Sequence, residues 1–428
     1  MKKEIVAILG GTFSPPHIGH VRAAEALQKE LRPDRLMIIV DNLPPHKEID
    51  GGATAEQRLK MASLAFGHIP QVEISDMEIR RGGRSYTAET LTLLSREDRE
   101  LYFLCGTDMF LSLPTWRTPE IIFEKAVICL VRREKDGEKE EAILKAKEDY
   151  ERRFGARIRI IDAAVTEVCS TELRAQLKCA PWLAEKSIPP SVLSYIESEG
   201  LWPLDTVAVL SSLRQEISRF MGEKRYRHTL GVEKMAERIA AHFEGEIDPL
   251  SLGASALLHD ITKEMDESEQ RETVKRLGIS LTESQEKSPA ILHSFTAEYR
   301  IRKEFPYFAK NKEVLFAIRA HTTGAKNMSL LDKILYVADY IEEGREYPKC
   351  IETREWFFSE LESGIPPKLA LDKCVLKILD STVHFLRARG FALCEDTLDA
   401  RNALLSTISL NRETEKGKDK KKTQERYL

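Results

Sequence analysis

The stretch EIVAILGGTFSPPHIGH, residues 4–20, decides how the first half of the chain folds. Its opening apolar run over residues 4–9 predicts a buried strand. Gly10 and Gly11 follow at the end of that strand, and because glycine has no Cβ, backbone N–H groups there can approach a phosphate closely. The P-loop motif GxxxxGK[ST] occurs nowhere in the chain, and the stretch does not contain GxGxxG. The pattern therefore disfavours P-loop proteins and hydride-transferring Rossmann proteins.

His17 and His20 lie where a helix over residues 19–31 is predicted to begin. Two imidazoles three positions apart can point toward one face of a helix. The N-terminus of a helix carries partial positive charge and unpaired N–H groups, which favour a phosphate. The stretch therefore predicts a strand, loop and helix that bind the phosphates of a nucleotide.

Strands and helices continue to alternate as far as residue 203. Apolar runs predict strands, and helical spacing predicts helices, in this order: a strand over 35–40, a helix over 54–66 with Thr54 as its N-cap, strands over 101–105, 126–131 and 157–161, and a helix over 191–200. Such alternation is typical of βαβ units and a parallel sheet. The expected fold of this half is a Rossmann-like α/β domain with helices on both faces of the sheet.

The strand pattern fades after Pro203, and helical spacing continues almost without interruption to about residue 406. The predicted helices cover 213–221, 229–243, 251–258, 267–277, 292–303, 312–320, 330–341 and 366–387. The sequence thus predicts an α/β domain over 1–203 and an all-α domain over 206–405. It also predicts a charged, disordered tail over 406–428.

Composition and charge exclude several classes of protein. The chain has 428 residues with 65 Lys and Arg against 69 Asp and Glu, so its net charge is −4. This balance disfavours a nucleic-acid partner, and no apolar run approaches the roughly 20 residues of a membrane span. The seven cysteines are scattered and form no CxxC pair, which disfavours a disulfide framework. A cytoplasmic protein is expected, and its oligomeric state, a homo-oligomer included, is left open.

The first half resembles the bacterial nicotinate-nucleotide adenylyltransferases of the nucleotidyltransferase superfamily. The motifs that carry the resemblance are GGTFxPxHxGH at 10–20, PPHK at 44–47, SYTxxTL at 85–91, GTD at 106–108 with Trp116, CSTELR at 169–174 and VxxYIxxxxL at 192–201. Two positions depart from the family pattern: Ser14 replaces the usual Asp, and Cys169 replaces the usual Ser.

The resemblance implies transfer of AMP from ATP, with Mg²⁺, to nicotinate mononucleotide, giving deamido-NAD and pyrophosphate. It implies His17, His20 and Lys47 as catalytic residues. The implied ATP-binding residues are Gly10, Gly11, Thr12, Phe13, His17, His20, Gly106, Asp108, Ser170, Thr171 and Arg174. The implied nicotinate-nucleotide-binding residues are Lys47, Tyr86, Thr87, Asp108 and Trp116. A different acceptor, such as phosphopantetheine, is the alternative that these motifs disfavour.

A second set of residues, spread over several predicted helices, suggests a metal centre. Its members, in chain order, are His228, the adjacent His259 and Asp260, His293, His321 and Asp339. Neutral imidazoles and carboxylates bind divalent transition metals. Four histidines and two carboxylates suit two metals, with one carboxylate bridging. Such a pair can bind a phosphate and generate hydroxide near neutral pH.

The second half resembles the HD-domain metallophosphohydrolases, and more narrowly the YqeK-type symmetrical diadenosine-tetraphosphate hydrolases. The motifs are RYRHTLGV at 225–232, LLHDITK at 257–263, AIRAHTTG at 317–324 and LLDKILYVADYIE at 330–342. Departures from the family pattern follow His293 and occupy residues 343–345.

That resemblance implies two ADP as products and iron as the metal. One metal would be held by His228, His259, Asp260 and Asp339, and the other by Asp260, His293 and His321, with Asp260 as the bridging catalytic residue. The implied substrate-phosphate contacts are Lys263, Thr322 and Arg345. Two alternatives remain: an HD domain that acts on another phosphoester, and one that only senses nucleotides.

Overall fold

The computed structural model describes residues 2–44, 52–133, 139–165 and 168–409. The chain divides into two compact units, Met1–Leu204 and Asp205–Leu428. The PPHK stretch beyond Pro44, with the predicted catalytic residue Lys47, lies outside the described residues. So does the charged segment from residue 410 onward.

The first unit contains a parallel sheet, six-stranded within the described residues. The strands are β1 (Glu4–Gly11), β2 (Arg35–Val40), β3 (Val72–Ser75), β4 (Arg99–Gly106), β5 (Ala126–Arg133) and β6 (Ile158–Val165), in the order β3-β2-β1-β4-β5-β6. The predicted Rossmann-like α/β class is confirmed. The pattern missed β3, because this edge strand is only four residues long and too short for a clear period of two.

Helices cover the sheet and connect its strands. They are α1 (Ile18–Leu31), α2 (Ala55–Phe66), α3 (Met77–Arg81), α4 (Thr87–Leu94), α5 (Thr107–Ser112), α6 (Pro119–Lys125), α7 (Glu140–Phe154), α8 (Ser170–Cys179), α9 (Pro181–Ala184) and α10 (Pro190–Ser198). Thr54 caps α2 as predicted, since its side chain accepts a hydrogen bond from the backbone N–H of Gln57. Alternate residues of β1 enter the apolar layers on opposite faces, with Val6 and Ile8 on one face and Ala7 and Leu9 on the other.

The strand order creates a crevice at the carboxyl ends of two central strands. The chain moves outward from β1 to β2 and β3, and then returns to add β4 on the other side of β1. Connections that leave β1 and β4 in opposite directions open a crevice at the carboxyl ends of these two strands. Gly10 and Gly11 lie at that end of β1, and Gly106 lies at that end of β4.

The second unit is helical throughout its described residues, as predicted. Its helices are α11 (Thr206–Ile217), α12 (Glu223–Ala240), α13 (Pro249–Leu258), α14 (Glu267–Arg276), α15 (Glu283–Glu286), α16 (Leu292–Glu304), α17 (Pro306–Ala309), α18 (Lys312–Ala320), α19 (Leu330–Ile341), α20 (Pro348–Glu362) and α21 (Pro367–Arg389). A further helical segment covers residues 395–409. The main core of the unit includes Val232 of α12, Ile334 of α19 and Val375 of α21.

Several predicted boundaries in this unit are wrong. The first helix begins at Thr206 rather than at residue 213, because Asp205 accepts the N–H of Ala208 and caps it. Helix α12 begins six residues earlier than predicted, so His228 lies inside it. The expected disordered tail does not begin at residue 406, because residues 406–409 are helical. Among the helices of the described residues, none has the length and apolar character needed to cross a membrane.

Candidate active sites

The loop after β1 holds His17 and His20 in one defined protonation pattern. His17 is the N-cap of α1, and its Nδ1 accepts the backbone N–H of His20 at 3.3 Å. His20 Nδ1 in turn accepts the backbone N–H of His17 at 3.3 Å, and the two rings stack with centroids 3.6 Å apart. Because each Nδ1 accepts a hydrogen bond, the proton of each neutral imidazole must lie on Nε2. In its neutral form each side chain is therefore an N–H donor at Nε2, the hydrogen-bonding role that suits an anion.

A cavity of about 860 Å³ opens at this loop. It is lined by nearly every nucleotide-site residue predicted for this unit: Gly10, Gly11, Thr12, Phe13, His17, His20, Tyr86, Thr87, Gly106, Asp108, Trp116, Ser170, Thr171 and Arg174. The exception is Lys47, which lies outside the described residues. Residues far apart in the sequence thus meet at the carboxyl ends of β1 and β4.

One end of the cavity, termed the phosphate end, has groups that favour an anion. The N-terminus of α8 faces it, and Ser170 and Arg174 tie this helix to the loop after β1. Ser170 Oγ donates to the Pro15 carbonyl at 3.0 Å, and Arg174 Nη1 donates to the Ser14 carbonyl at 2.9 Å. The N-termini of α1 and α8 and the Arg174 guanidinium concentrate positive potential at this end.

Cys169 is the N-cap of α8 and also lines the phosphate end. Burial alone would raise the pKa of this thiol. The backbone N–H groups of Glu172 and Thr171 favour the thiolate more strongly, so the pKa of Cys169 lies below its usual value.

The other end of the cavity is aromatic and apolar. The Trp116 ring lies edge-on to Phe103 with centroids 6.4 Å apart, and its Nε1 donates to Ser112 Oγ at 3.3 Å. The Arg117 guanidinium lies 4.4 Å from the centroid of the Tyr86 ring. Flat apolar walls with a few polar groups suit a heteroaromatic ring. Asp108, which was predicted to bind both nucleotides, forms an ion pair with Lys139 at 2.8 Å and is 69% exposed.

Two carboxylates in the cavity wall were not predicted. Asp41 follows β2, and Oδ2 of its carboxylate accepts the Thr12 hydroxyl at 2.8 Å. Burial raises the pKa of Asp41, against the opposing effects of Thr12 and Arg58. Glu78 is buried and accepts the Thr90 hydroxyl. The signal for Asp41 was its place directly after a predicted parallel strand, whereas no local pattern distinguishes Glu78 from a surface glutamate.

In the second unit, the other five predicted metal ligands converge around Asp260. Oδ2 of Asp260 lies 3.8 Å from His228 Nε2 and 3.4 Å from His259 Nε2. Its other oxygen, Oδ1, lies 3.2 Å from His293 Nε2 and 3.6 Å from His321 Nε2. The two oxygens of one carboxylate thus face two different pairs of histidines.

Asp339 completes the group on the Oδ2 side. Its Oδ1 lies 3.0 Å from His228 Nε2 and 3.9 Å from His259 Nε2. His228, His259 and Asp339 form one group whose ligand atoms could share a metal ion, and His259, Asp260 and His321 form another. This arrangement matches the chemistry of a two-metal site with a bridging carboxylate.

Hydrogen bonds at Nδ1 orient the histidines of this centre. His259 Nδ1 donates to the Ala256 carbonyl at 2.7 Å, and His321 Nδ1 donates to the Ile318 carbonyl at 2.6 Å. These bonds place the proton on Nδ1 and leave the lone pair of Nε2 for a metal. Within the described residues, Nε2 of both His228 and His259 is buried and faces carboxylate oxygens instead of a hydrogen-bond donor. Such buried acceptors fit a metal, because an unsatisfied polar atom is otherwise costly.

Glu342, which was not predicted as a site residue, hydrogen-bonds to a histidine of the centre. Its Oε1 lies 3.1 Å from His228 Nδ1, and its Oε2 accepts the Gly344 N–H at 2.6 Å. A Cβ at Gly231 would lie 2.4 Å from Glu342 Oε2, so a larger residue there would force this carboxylate to shift. Burial would lower the pKa of His228, but Asp339 and Glu342 outweigh it and raise the pKa to about 9.

Three cations surround the centre. Arg225 Nη1 donates to Asp260 Oδ2 at 2.6 Å, and Arg345 Nη2 donates to Asp339 Oδ1 at 2.8 Å. Lys263 Nζ lies 3.2 Å from His293 Nδ1. Lys263 and Arg345 were predicted to contact phosphate, whereas Arg225 was not, although it stands in the quoted motif three residues before His228. The hydroxyl of Thr322, the remaining predicted contact, is buried and lacks a hydrogen-bond partner among the described residues.

These charges determine how the carboxylates of the centre titrate. Burial would raise the pKa of Asp260, but His259, His293 and His321 hold it well below its usual range. Burial opposes ionisation of Asp339 as well, and His228 and Arg345 again lower the pKa well below its usual range. Burial lowers the pKa of His293 to about 4. Both carboxylates are therefore ionised, and His293 is neutral, at neutral pH.

Comparisons with known proteins divide the chain in the same way. The Cytidylyltransferase-like family model matches residues 8–176, and the HD domain model matches residues 225–344. A protein of Desulfatibacillum aliphaticivorans, named probable nicotinate-nucleotide adenylyltransferase, is 35% identical over 214 residues, which cover 46% of this chain and 99% of that protein. A protein of the same name from Lachnoclostridium phytofermentans is 32% identical over 199 residues, covering 46% of this chain and 98% of that protein.

Two solved structures are also similar to part of the chain. A predicted HD superfamily hydrolase involved in NAD metabolism from Clostridium acetobutylicum is 32% identical with a TM-score of 0.41, covering 46% of this chain and 97% of that chain. The Plasmodium falciparum nicotinic acid mononucleotide adenylyltransferase complexed with NaAD is 17% identical with a TM-score of 0.41, covering 47% and 98%. The chain also carries an HD domain in its second half. By its similarity to nearly the full length of the Desulfatibacillum protein, the chain belongs, through its first half, to the nicotinate-nucleotide adenylyltransferase family.

Proposed function

We propose that the first unit transfers the adenylyl group of ATP to nicotinate mononucleotide, producing deamido-NAD and pyrophosphate. The observation that carries this proposal is the pair His17 and His20, whose Nδ1 atoms accept backbone N–H groups in the wall of the cavity. Two neutral N–H donors beside two helix N-termini suit a phosphate chain. The names of the curated relatives support nicotinate mononucleotide as the acceptor.

The reaction is a single displacement at phosphorus. An oxygen of the acceptor's 5′-phosphate forms a bond to the α-phosphorus of ATP, and the bond between that phosphorus and the oxygen bridging to the β-phosphorus breaks. Pyrophosphate leaves with both electrons of the broken bond. His17 and His20 donate from Nε2 to the developing negative charge, and Ser170, Thr171 and Arg174 hold the leaving phosphates. Mg²⁺ that accompanies ATP neutralises part of the phosphate charge when bound.

The aromatic end of the cavity would hold the pyridine ring of the acceptor. Trp116 and Tyr86 supply ring faces there, and Thr87 begins helix α4, whose N-terminus favours an anionic group. Lys47 would add a point charge for the substrate phosphates. Binding at both ends aligns the attacking oxygen with the α-phosphorus, which is the main source of rate in such reactions.

The test is an assay of the full chain with ATP, Mg²⁺ and one acceptor at a time. Nicotinate mononucleotide, nicotinamide mononucleotide and phosphopantetheine are compared by separating the products. We expect His20→Ala to lower kcat with nicotinate mononucleotide at least a hundredfold, the scale set by losing a donor to the developing charge. His68→Ala removes an exposed histidine paired with Glu25 and serves as the matched control. Near-normal turnover of His20→Ala would contradict the proposal.

We further propose that the HD unit is a dinuclear metal-dependent phosphohydrolase that cleaves diadenosine tetraphosphate symmetrically into two ADP. The observation that carries this proposal is the placement of the two Asp260 oxygens against different histidine pairs. A pair of divalent metals, proposed to be iron, would supply Lewis-acid stabilisation of phosphate charge and would activate water near neutral pH.

The residues of this unit would bind and orient a polyphosphate. His228, His259, Asp260 and Asp339 would hold one metal, and Asp260, His293 and His321 the other. Lys263, Thr322 and Arg345 would contact phosphate oxygens. In the overall reaction, the oxygen of a water molecule bonds to one of the two inner phosphorus atoms, and the bond from that phosphorus to the central bridging oxygen breaks. Each half then leaves as ADP, with the protons of water shared between the products and solvent.

Product analysis distinguishes this proposal from its alternatives. The full chain is loaded with Fe²⁺ or Mn²⁺, its metal content is measured, and diadenosine tetraphosphate is added. We expect ADP as the only nucleotide product, and we expect it to disappear in His259→Ala but not in the exposed-site control His242→Ala. Products other than ADP would indicate a different cleavage. No cleavage by metal-loaded wild type would point instead to another phosphoester or to a nucleotide sensor.

A further inference from the structure

Arg58 of α2 is a buried cation that no part of the proposed mechanism uses. Only 1% of Arg58 is exposed, although it lies in a helix that packs on one face of the sheet. An arginine is almost never fully buried unless its guanidinium is paired. Its charge is balanced by Asp41, whose Oδ1 lies 3.1 Å from Arg58 Nη1.

The guanidinium binds the ends of two neighbouring parallel strands. Nη1 donates to the Thr12 carbonyl at 3.0 Å and to the Asp41 carbonyl at 2.8 Å. Nη2 donates to the Asn42 carbonyl at 3.0 Å. Three of its acceptors are therefore backbone carbonyls, so the side chain fixes the path of the main chain after β1 and after β2. Thr12 and Asp41 line the cavity, whereas Arg58 itself does not.

The same contacts continue toward the acceptor end. The Asn42 backbone N–H donates to Ser85 Oγ at 2.9 Å, and the Ser85 N–H donates to the Leu43 carbonyl at 2.9 Å. Ser85 directly precedes Tyr86 and Thr87, which line the cavity with it. A continuous set of hydrogen bonds therefore runs from Thr12, through Arg58 and Asn42, to the segment that carries Tyr86.

We propose that Arg58 is a positioning residue for adenylyl transfer, whose guanidinium fixes the ATP loop and the acceptor-binding segment relative to each other. The inference rests on the function proposed above for the first unit. Displacement requires the attacking oxygen, the α-phosphorus and the leaving oxygen to be in line, and a misplacement of about 1 Å can cost roughly a hundredfold in rate. Because the rigid guanidinium of Arg58 binds both the ATP loop and the acceptor-binding segment, it sets this alignment.

Lysine cannot replace this arrangement. A guanidinium presents its donors in a planar fork, whereas an ammonium is a compact point charge. Arg58→Lys keeps the charge opposite Asp41, so the fold does not have to bury an unpaired carboxylate. The Arg58→Lys side chain cannot donate to the Thr12 and Asn42 carbonyls at the same time. Arg58→Lys is therefore the deciding variant, and Arg58→Met, which leaves Asp41 unpaired, is secondary.

A matched control separates positioning from stability. Arg99 also has a largely buried side chain, 8% exposed, which pairs with Glu4 at 2.8 Å and donates to the Leu94 carbonyl at 3.0 Å. It lies at the amino ends of β1 and β4, the opposite edge of the sheet from the cavity. Arg99→Lys should perturb stability in a similar way without touching either substrate wall.

The experiment uses the full chain and measures kcat, both KM values, the dissociation constant of ATP by calorimetry, and the midpoint of thermal unfolding. We expect Arg58→Lys to raise the KM of ATP and of nicotinate mononucleotide about tenfold each and to lower kcat at least tenfold. Arg99→Lys should leave all four constants at wild-type values. Ser85→Ala removes only the hydrogen bond between the Asn42 N–H and the acceptor-binding segment. It should therefore raise the KM of nicotinate mononucleotide and leave the ATP dissociation constant unchanged.

The outcomes separate this inference from the function on which it rests. If Arg58→Lys loses stability as Arg99→Lys does but keeps wild-type constants, Arg58 is merely structural and the inference is overturned. If the wild type transfers no adenylyl group, the proposed function fails. In that case the ATP dissociation constant of Arg58→Lys still tests the inference. A constant equal to that of wild type would overturn the claim that Arg58 fixes the ATP loop.

Discussion

Histidines in both units are fixed at Nδ1, yet the direction of that hydrogen bond differs between the two sites. His17 and His20 accept at Nδ1, so their Nε2 atoms carry protons and can donate to an anion. His259 and His321 donate at Nδ1 to carbonyl oxygens, so their Nε2 atoms carry lone pairs and can bind a cation. The same side chain is thus set to donate to an anion in one unit and to offer a lone pair to a cation in the other, because its backbone partner selects the tautomer.

Metal binding by the HD unit should depend on pH through His228. Its pKa is raised to about 9 by Asp339 and Glu342, so in the metal-free protein this histidine is protonated at pH 7. A metal must displace that proton, so its apparent affinity should rise with pH and level off near pH 9. His293, with a pKa of about 4, is already neutral and does not add to the pH dependence of the metal affinity above about pH 5. Calorimetric titration with Mn²⁺ in buffers of different ionisation enthalpy measures the released proton, and its absence at pH 7 would contradict this assignment.

Glu342→Gln should weaken metal binding most clearly at high pH. The glutamate carboxylate raises the basicity of His228, and losing such a partner of a metal-bound histidine typically costs 10- to 100-fold in affinity. At pH 7 part of this loss is offset, because the variant has a less basic His228 whose proton leaves more easily. We expect about a tenfold weaker Mn²⁺ affinity at pH 9.5. The neighbouring, exposed Glu343→Gln is the control, and equal affinities for the two variants would exclude the role given to Glu342.

At the level of elements, the catalytic geometry depends on where helices begin. Helices α1 and α8 start at the carboxyl edge of the sheet and direct their N-termini toward the cavity. Helix α2 starts with Thr54 and a reciprocal bond between Thr54 and Gln57, and four positions later it delivers Arg58 to the strand ends. In the second unit, α13 and α18 end at His259 and His321, so these ligands lie where each helix stops.

Thr54→Ala should destabilise the first unit without changing its chemistry. Removing an N-cap hydroxyl typically costs about 1 kcal/mol, because one backbone N–H at the helix start loses its partner. Arg58 lies a full turn into α2 and keeps its contacts, so the KM values should remain those of wild type. Chemical denaturation combined with steady-state kinetics measures both quantities. A rise in KM comparable to that of Arg58→Lys would show that the helix start, and not the guanidinium, sets the site.

At the scale of the whole molecule, each unit has its own core and its own candidate site. The candidate site of the first unit is formed by loops at the carboxyl ends of the strands. The second brings five predicted ligands, from α12, the ends of α13 and α18, α16 and α19, around the buried carboxylate of Asp260. Metal binding is thus coupled to how these helices pack, whereas nucleotide binding is coupled to the strand ends.

Metal loading should therefore raise the thermal stability of the HD unit. A ligand that binds only the folded state stabilises it by about 2.7 kcal/mol at a hundredfold excess over its dissociation constant. We expect a calorimetric transition that shifts upward with Mn²⁺ and returns on chelation. In His259→Ala the same additions should produce a much smaller shift. A wild-type unfolding profile that is the same with and without Mn²⁺ would rule out a metal site in the packed helices.

The sequence by itself determined the class of each unit and most of its elements. The alternation of strand-like and helical patterns before residue 203 predicted every strand described in the sheet except β3, because each of the other strands has a local pattern of apolar residues longer than that of β3. The helix over 312–320 and the helix over 330–341 were predicted to the residue, since their apolar positions repeat regularly and Asn311 and Ser329 cap them. Motif residues such as His17, His20 and Asp260 were identified by type and spacing.

Only the tertiary structure decided which residues support those motifs. Arg58 reaches Thr12 across 46 positions, Arg225 reaches Asp260 across 35, and His228 reaches Glu342 across 114. No local period records such pairings, because they arise where strands and helices that are distant in the sequence pack together. In a chain with many surface arginines and glutamates, a supporting residue looks like any other until its burial and its partners are known. The physical reason is that residue type and spacing set local structure, whereas the environment of each charged group is created only when the core closes around it.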